Sequence, residues 1–171
     1  MFLRTCYAPR LDSAYQSLAN RCVIADSYGV DPDMVLDDAE LYEFGNSWDR
    51  ILTRIPMLPD VNQWSTEEDY LVSESLGSHG DNEDDDEIQL QRASEITVMV
   101  LYVIDEEAIY EDLVKIKWLG SHGQCVWENK IAPASLADFR GSLMGGTQPA
   151  EAVESYGSGE NPTARNAILV L

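Results

Sequence analysis

The second half of the chain carries the hydrophobic pattern of β-strands. Residues 95–104 are rich in β-branched and aromatic side chains, which is typical of a central strand. In residues 113–119 the apolar residues Val114, Ile116 and Trp118 alternate with lysines. Because side chains on a strand point to opposite faces in turn, this alternation predicts a second strand with one buried face.

Short turns and a helix complete this pattern. We expect acidic residues 105–107 to form the turn between the two strands, and glycine-flanked residues 120–123 to form the next turn. A third short strand follows at 124–128. Pro133 and the apolar residues after it predict a closing helix that ends at Gly141. The whole unit is predicted to be a small antiparallel sheet with one packed helix.

The first sixty residues follow a helical period instead. Leu11, Tyr15 and Leu18 recur at helical spacing, so residues 11–21 predict a short amphipathic helix. Two more short helices are expected, because Asp31-Pro32 is a typical helix start and the prolines after residue 55 would end a helix. Their predicted apolar positions are Met34, Val35, Leu41 and Tyr42 before Gly45, and Trp48, Ile51, Leu52 and Ile55 after it.

A strongly acidic stretch separates the two halves. Residues 66–87 contain ten acids and no lysine or arginine. Such a run cannot bury itself, so we expect an exposed loop or linker whose carboxylates form an acidic surface. The acidic surface is assigned to Asp81, Glu83, Asp84, Asp85, Asp86 and Glu87.

Together these patterns predict an α+β fold. Short N-terminal helices occupy residues 1–60 and an acidic linker occupies 61–93. A small curved antiparallel three-stranded sheet with a packed C-terminal helix occupies 94–143. Residues 144–171 are glycine-, serine- and proline-rich and are expected to be a mostly flexible tail.

One short sequence occurs twice. Leu-Gly-Ser-His-Gly stands at 76–80 and again at 119–123, each time after a Glu-Asp pair at the same distance. The copies are consistent with a degenerate duplication that extends into the predicted linker. Coincidence in a chain rich in glycine, serine and acids is the alternative, because the first copy lacks the hydrophobic strand.

Charge restricts the class of partner. The chain has 31 acids and 11 bases, a formal net charge of −20. Direct contact with nucleic-acid phosphates needs clusters of lysine and arginine, so it is disfavoured. A basic protein surface or peptide is the favoured partner, since long-range attraction would steer it to the carboxylates. The plain alternative is a solvated surface that only keeps the protein soluble.

Cysteine usage and hydropathy indicate an intracellular protein. The three cysteines, Cys6, Cys22 and Cys125, form no CxxC motif and leave an odd thiol over. That count favours reduced thiols in a reducing compartment and argues against a structural zinc site. No segment is long and apolar enough to span a bilayer, and the N-terminus lacks the pattern of a secretory signal, so no membrane association is expected.

Three short stretches of the predicted sheet resemble a chromodomain. They are Val103-Ile104-Asp105, Leu113-Val114-Lys115-Ile116-Lys117 and Val126-Trp127-Glu128-Asn129, with an acid-containing helix at 136–139. The resemblance covers about residues 95–143. It implies a peptide-binding module and a nuclear location; without it, a cytoplasmic location is expected.

The resemblance also implies a set of partner-binding residues: Tyr102, Ile116, Trp118, Trp127 and Glu128. In the chromodomain family, three aromatics cage a methylated lysine by cation–π attraction. Two of the three cage positions fall near Val98 and on Ile116, where the aromatic is absent. The implied mode is therefore strand addition of a peptide, or dimerisation, rather than reading of a methyl mark. Trp118 and Trp127 can equally be core residues of a small barrel.

No catalytic set emerges from the sequence. His79 and His122 are the only histidines, and Cys125 is the one cysteine close to either in the chain. A Cys–His nucleophile would also need an orienting acid and oxyanion donors, which the pattern around them does not offer. Phosphate-loop and nucleophile-elbow motifs are absent. We therefore expect no catalysis, no cofactor and no metal site.

Two functions remain open. The first is a non-catalytic adaptor whose chromo-like sheet binds a basic or extended peptide. The second is an acidic inhibitor, of the immunity-protein or nucleic-acid-mimic kind, that blocks the basic site of an enzyme acting on nucleic acid. The second is favoured by the distribution of charge, because 19 acids and only two bases lie in residues 26–90, outside the chromo-like pattern.

Overall fold

The fold is built on a six-stranded mixed sheet with the strand order β2-β1-β3-β4-β5-β6. The computed structural model describes residues 1–24, 35–54, 83–158, 161 and 163–170. The strands are β1 (Phe2–Arg4), β2 (Val35–Leu36), β3 (Met99–Ile104), β4 (Val114–Leu119), β5 (Cys125–Ile131) and β6 (Ile168–Leu169).

Local and long-range pairings combine in this sheet. Strands β3, β4 and β5 form an antiparallel meander, with Val100 opposite Trp118 and Lys117 opposite Glu128. Strand β1 lies parallel to both β2 and β3, and β6 lies parallel to β5. The meander is thus extended on both sides by strands from distant parts of the chain.

Seven helices are present in the described part of the chain. They are α1 (Asp12–Ile24), α2 (Ala39–Tyr42), α3 (Ile51–Arg54), α4 (Glu83–Ile96), α5 (Glu106–Glu111), α6 (Leu136–Met144) and α7 (Pro149–Tyr156). Short 3₁₀ turns, each leading directly into the next helix, precede α1, α3 and α6.

Apolar side chains cover both faces of the sheet, and strand alternation divides them. Tyr102 and Ile104 of β3 and Ile116 and Trp118 of β4 point to one face, where they pack with residues of α1, α4, α6 and α7. Leu3, Leu101 and Val103 point to the other face, where Phe44 and Ile51 cover them. Burial of this apolar surface is the main stabilising contribution to the fold.

The general α+β class is confirmed, but the three-stranded sheet is wrong. The meander is the predicted part, and it lies inside a larger sheet. Strands β1, β2 and β6 have only two or three residues each. Such segments are too short to show a period of two, and their partners are far away in sequence, so no local pattern reports them.

Several predicted helices are confirmed. Tyr15 and Leu18 of α1 are buried as expected, and so is Leu11 in the 3₁₀ turn just before it. Helix α6 follows Pro133 but continues to Met144, beyond the predicted end at Gly141. The short helix around Trp48 and Ile51 is also present. Val35 was expected in a helical stripe, but it lies in strand β2 beside Phe2. The predicted helix start at Asp31-Pro32, with Met34, lies outside the described residues, as does Ile55.

The acidic stretch also differs from the prediction. Residues 83–93 were expected in a linker, whereas they belong to helix α4; residues 61–82 lie outside the described residues. The acids stand in the first turns of α4, where negative charge is stabilised by the helix dipole. Leu90 and Ala93 then bury one side of the helix.

The segments predicted to be a turn at 105–107 and a flexible tail at 144–171 contain regular secondary structure. Asp105 caps helix α5 by accepting a hydrogen bond from the backbone N–H of Ala108, so residues 105–107 start a helix instead of forming only a turn. Within 144–171, α7 packs Val153 into the core, and β6 pairs with Lys130 and Ile131. Pro149 at the first position of α7 favours that helix start.

Candidate interaction surfaces

The aromatic residues assigned to partner binding lie in the core. Tyr102, Ile116, Trp118 and Trp127 are each at most 4% exposed. Trp118 Nε1 donates to Asn129 Oδ1 at 3.0 Å, and the Trp118 ring meets Phe139 edge to face. These four side chains therefore stabilise the fold and present no surface to a partner in this structure.

Strand addition at the predicted sheet is also obstructed. β3, β4 and β5 each have a neighbouring strand on both sides. The outer side of β6 is bonded as well, since Val170 N donates to Tyr156 O and Ser158 N donates to Ile168 O. A peptide adding to the sheet would need a free edge with unpaired N–H and C=O groups.

Glu128, the last of the predicted contact residues, belongs to a cluster of charges on the sheet. The chain has three lysines, Lys115, Lys117 and Lys130, and all three project from the same face of β4 and β5. Together with Glu107 and Glu128 they line a cleft of about 320 Å³. We call this site the lysine cleft.

Each lysine of the cleft is held by carboxylates. Lys115 Nζ lies 2.6 Å from Asp105 Oδ2 and 2.5 Å from Glu107 Oε2. Lys130 Nζ lies 2.9 Å from Glu107 Oε1 and 2.6 Å from Glu111 Oε2. Lys117 pairs with Glu128. Glu107 thus joins a lysine of β4 to a lysine of β5.

The electrostatics of the cleft follow from these pairs. Hydrogen bonds from Lys115 and then Lys130 lower the pKa of Glu107 to about 2. Burial opposes the charge of Lys115, but hydrogen bonds to Asp105 and Glu107 outweigh it and raise the pKa of that lysine. Burial and the bonds to Glu111 and Glu107 act in the same opposed way on Lys130, whose pKa is also raised. Glu107, Lys115 and Lys130 are therefore ionised at neutral pH.

Arginines near the N-terminus are also neutralised. The buried Arg4 lies 2.6 Å from Asp12 and 3.4 Å from Asp37, and its guanidinium stacks on the rings of Tyr15 and Tyr7. Arg10 pairs with Glu106, and Arg21 pairs with Asp112. Each of these arginines is thus paired with a carboxylate of the chain, two of them at the surface.

Helices α4 and α7 carry acids that have no such partner. The two helices are in contact, since the backbone N–H of Ala150 donates to Ser94 Oγ at 3.1 Å. Four exposed glutamates project from them, and none has an ion-pair partner among the described residues. We call these residues the acidic helical surface: Glu87, Glu95, Glu151 and Glu154.

Glu87 is both one of the acidic residues predicted from the sequence and a member of the acidic helical surface. Glu87 is exposed, and Asp86 is half-buried and accepts from Asn161 Nδ2 at 3.4 Å. Glu83, Asp84 and Asp85 lie in the first turn of α4, but their side chains are not described, and Asp81 lies outside the described residues. Sequence reasoning missed Glu95, Glu151 and Glu154, although Pro149 followed by acids was an available sign of a helix start.

The candidate catalytic pair is not activated. The Sγ of Cys125 donates to Trp127 O at 3.1 Å, and burial raises the pKa of that thiol to about 11. His122 Nδ1 lies 3.2 Å from Ser121 Oγ. A thiol with a raised pKa is protonated at neutral pH and is a poor nucleophile. His79 lies outside the described residues.

Two other features common at functional sites, a metal-binding cluster and a membrane-spanning helix, are absent from the described part of the chain. Among the residues that the structure describes, no three His, Cys, Asp or Glu side chains are grouped to hold a metal ion. Within the same residues, no helix combines the length and the apolar character needed to cross a membrane. Comparison of the chain with protein-family models, with curated proteins and with solved structures found no match.

Proposed function

We propose that this protein binds a basic surface of another protein through its acidic helical surface, and that it does so as a non-catalytic inhibitor. The observation that carries the proposal is the position of Glu87, Glu95, Glu151 and Glu154 on two packed helices, exposed and without a cation partner among the described residues. The partner is a protein whose basic site ordinarily binds an anion such as a nucleic-acid backbone.

Rigid placement is the physical reason why these helices suit such a role. Leu90 and Ala93 fix α4 to the core, and Ala152 and Val153 fix α7. Carboxylates on anchored helices lose little freedom on binding, so less of the binding free energy is spent on ordering them. The net charge of −20 adds long-range attraction and speeds association with a basic partner.

The adaptor interpretation has less support. Its chromo-like contacts Tyr102, Trp118 and Trp127 are buried, and its strands lie inside the sheet. The adaptor interpretation keeps its preference for a basic partner, but the inhibitor interpretation shares that preference. We therefore favour occupation of a basic site by carboxylates over peptide docking on the sheet.

Two variants of equal net charge test the proposal. In the first, Glu87, Glu95, Glu151 and Glu154 are all changed to Gln. In the control, the four changes fall on exposed acids elsewhere that have no ion-pair partner among the described residues: Glu40→Gln, Glu43→Gln, Asp49→Asn and Asp138→Asn. The 171-residue chain is immobilised, and partners are captured from an extract of the cells that produce it. Each captured protein is then purified and titrated with the wild type and both variants.

We expect binding of a basic protein that weakens at least tenfold in the first variant and changes little in the control. We also expect wild-type binding to fall steeply between about 50 and 200 mM salt, because exposed charges are screened over about 8–10 Å at physiological ionic strength. Equal losses in both variants would mean that only net charge matters. Unchanged binding in the first variant would refute the assigned surface.

Competition separates inhibition from adaptor binding. If the protein blocks an anion-binding site, duplex DNA or heparin should displace it from the captured partner. An adaptor that holds a peptide through backbone pairing and apolar pockets would keep its partner when polyanion is added, since those contacts are screened little.

A further inference from the structure

The lysine cleft brings all the lysines of a strongly acidic protein together in one place, each of them paired with carboxylates. All three lysines of the sequence line it, although acids outnumber bases 31 to 11 in the chain. It also lies on the opposite face of the sheet from α4 and α7, because Lys115 and Lys117 alternate with the Ile116 and Trp118 that pack toward those helices. The cleft is therefore separate from the acidic helical surface.

The sheet face that holds the cleft changes character along its width. Over β1 and β3 it is apolar, and Phe44 and Ile51 cover it. Over β4 and β5 the apolar layer continues only at Leu119 and Cys125. Farther along these two strands the same face presents Lys115, Lys117 and Lys130 together with Glu128. A purely structural face could have continued the apolar layer, whereas this half forms an open, polar concavity.

The ammonium groups retain hydrogen-bonding capacity. Each lysine has three N–H donors. Among the described residues, Lys115 and Lys130 donate to two carboxylates each, and Lys117 donates to Glu128 and lies 5.6 Å from the ring of Trp48. At least one N–H of every lysine thus has no acceptor among these residues, and Asn166 adds an amide to the lining of the same cleft.

We propose that the lysine cleft binds the oxyanion group, a carboxylate or a phosphate, of a small molecule. Its volume of about 320 Å³ lies at the lower end of the range for small-molecule sites. Charge-assisted hydrogen bonds from ammonium groups are the interactions that recognise such anions. Glu107 and Glu128 hold the lysines in place, so a ligand completes a preformed arrangement.

Titration calorimetry of the full chain tests this site with two probes, inorganic phosphate and succinate. Ionic strength is held constant with chloride, because added salt by itself screens the repulsion within a protein of this charge. Lys117→Gln removes the least saturated lysine. Arg92→Gln is the matched control, since Arg92 is an exposed cation on α4, beyond the opposite face of the sheet.

We expect saturable one-to-one binding of at least one probe, weakened at least tenfold by Lys117→Gln and unchanged by Arg92→Gln. Preference for phosphate or for succinate identifies the class of anion. Should Lys117→Gln fail to fold, Lys130→Gln replaces it and the same loss is expected. The site is refuted if neither probe saturates, or if the cleft variants bind like the wild type. These outcomes do not depend on the basic partner, so the two proposals can fail separately.

Discussion

Glu107 forms ion pairs with two of the three lysines of the cleft. On the opposite face of the sheet, the buried ring of Trp127 packs β5 into the core. The Glu107 oxygens accept from Lys115 and Lys130, while Trp127 is 1% exposed and lies under the guanidinium of Arg165. The role of Trp127 as a core residue was one of two interpretations open from the sequence. The role of Glu107 was not visible, because its partners lie 8 and 23 positions away.

Removal of the Trp127 ring should destabilise the protein strongly. We expect Trp127→Ala to lower the free energy of unfolding by about 3–5 kcal/mol, the usual cost of deleting a large core aromatic. Trp127→Phe is the control: it keeps most of the apolar volume and deletes an N–H that has no partner among the described residues. Urea denaturation measures both. A Trp127→Ala protein as stable as the wild type would place this side chain outside the core.

Glu107→Gln should make the protein less stable at pH 7 and less sensitive to acid. The pKa of Glu107 is about 2 in the folded protein, below its ordinary value of 4.5. Its contribution is therefore fully present above pH 4.5 and is lost as pH falls toward 2. Because the side chain is half exposed, solvent screening keeps the effect small.

Urea unfolding at a series of pH values between 7 and 3 checks the pH dependence. The stability difference between wild type and Glu107→Gln should shrink as the pH is lowered. Glu151→Gln is a charge-matched control, since Glu151 has no ion-pair partner among the described residues. A difference that stays constant, or that grows in acid, would contradict the assigned ion pairs.

At the scale of elements, the sequence predicts those whose signals are local. Helix α1 has a clear apolar stripe, β4 alternates, and Gly123 with a φ of 77° suits the turn between β4 and β5. Helix α4 was missed because an acidic run resembles a linker, although the same acids at a helix start are favourable. Helix α5 was missed because Asp105 fits both a turn and a helix cap.

The carboxylate of Asp105 connects helix α5 to strand β4, and substitutions of this residue measure what its helix cap contributes. Its Oδ1 accepts from Ala108 N at 2.9 Å and its Oδ2 from Lys115 at 2.6 Å, so it both caps α5 and joins α5 to β4. Asp105→Asn keeps a good cap but loses the charge. We expect Asp105→Ala to be less stable than Asp105→Asn by about 1 kcal/mol in urea denaturation, the usual value of an N-cap. Equal stabilities would show that the cap contributes nothing.

At the scale of the whole molecule, the predicted module depends on distant parts of the chain. β3 lies between β4 and β1, and the Phe2 ring stacks on Tyr102 at a centroid distance of 4.9 Å. Leu3, Phe44 and Ile51 cover Leu101 and Val103. Long-range parallel pairing leaves no local signal, so the sequence indicated the meander but not the sheet that contains it. The acidic helical surface was missed because its two helices start 66 residues apart, so no local pattern brings their acids together.

The fragment 94–143 should therefore not fold alone. It lacks β1, α1 and α7, and its β3 would expose both an edge and two apolar faces. We expect a circular dichroism spectrum without a cooperative melting transition, while the full chain melts cooperatively. A fragment that unfolds cooperatively would show that residues 94–143 fold independently, and it would support the chromo-like interpretation.

Zero-length carbodiimide crosslinking of the full chain to its captured basic partner shows directly whether the acidic helical surface touches that partner. The reagent joins carboxylates only to lysines in direct contact, and mass spectrometry then identifies the joined peptides. We expect crosslinks from Glu87, Glu95, Glu151 or Glu154 to lysines of the partner's anion-binding site. Crosslinks confined to Glu40, Glu43 or Asp138, with none from α4 or α7, would contradict it.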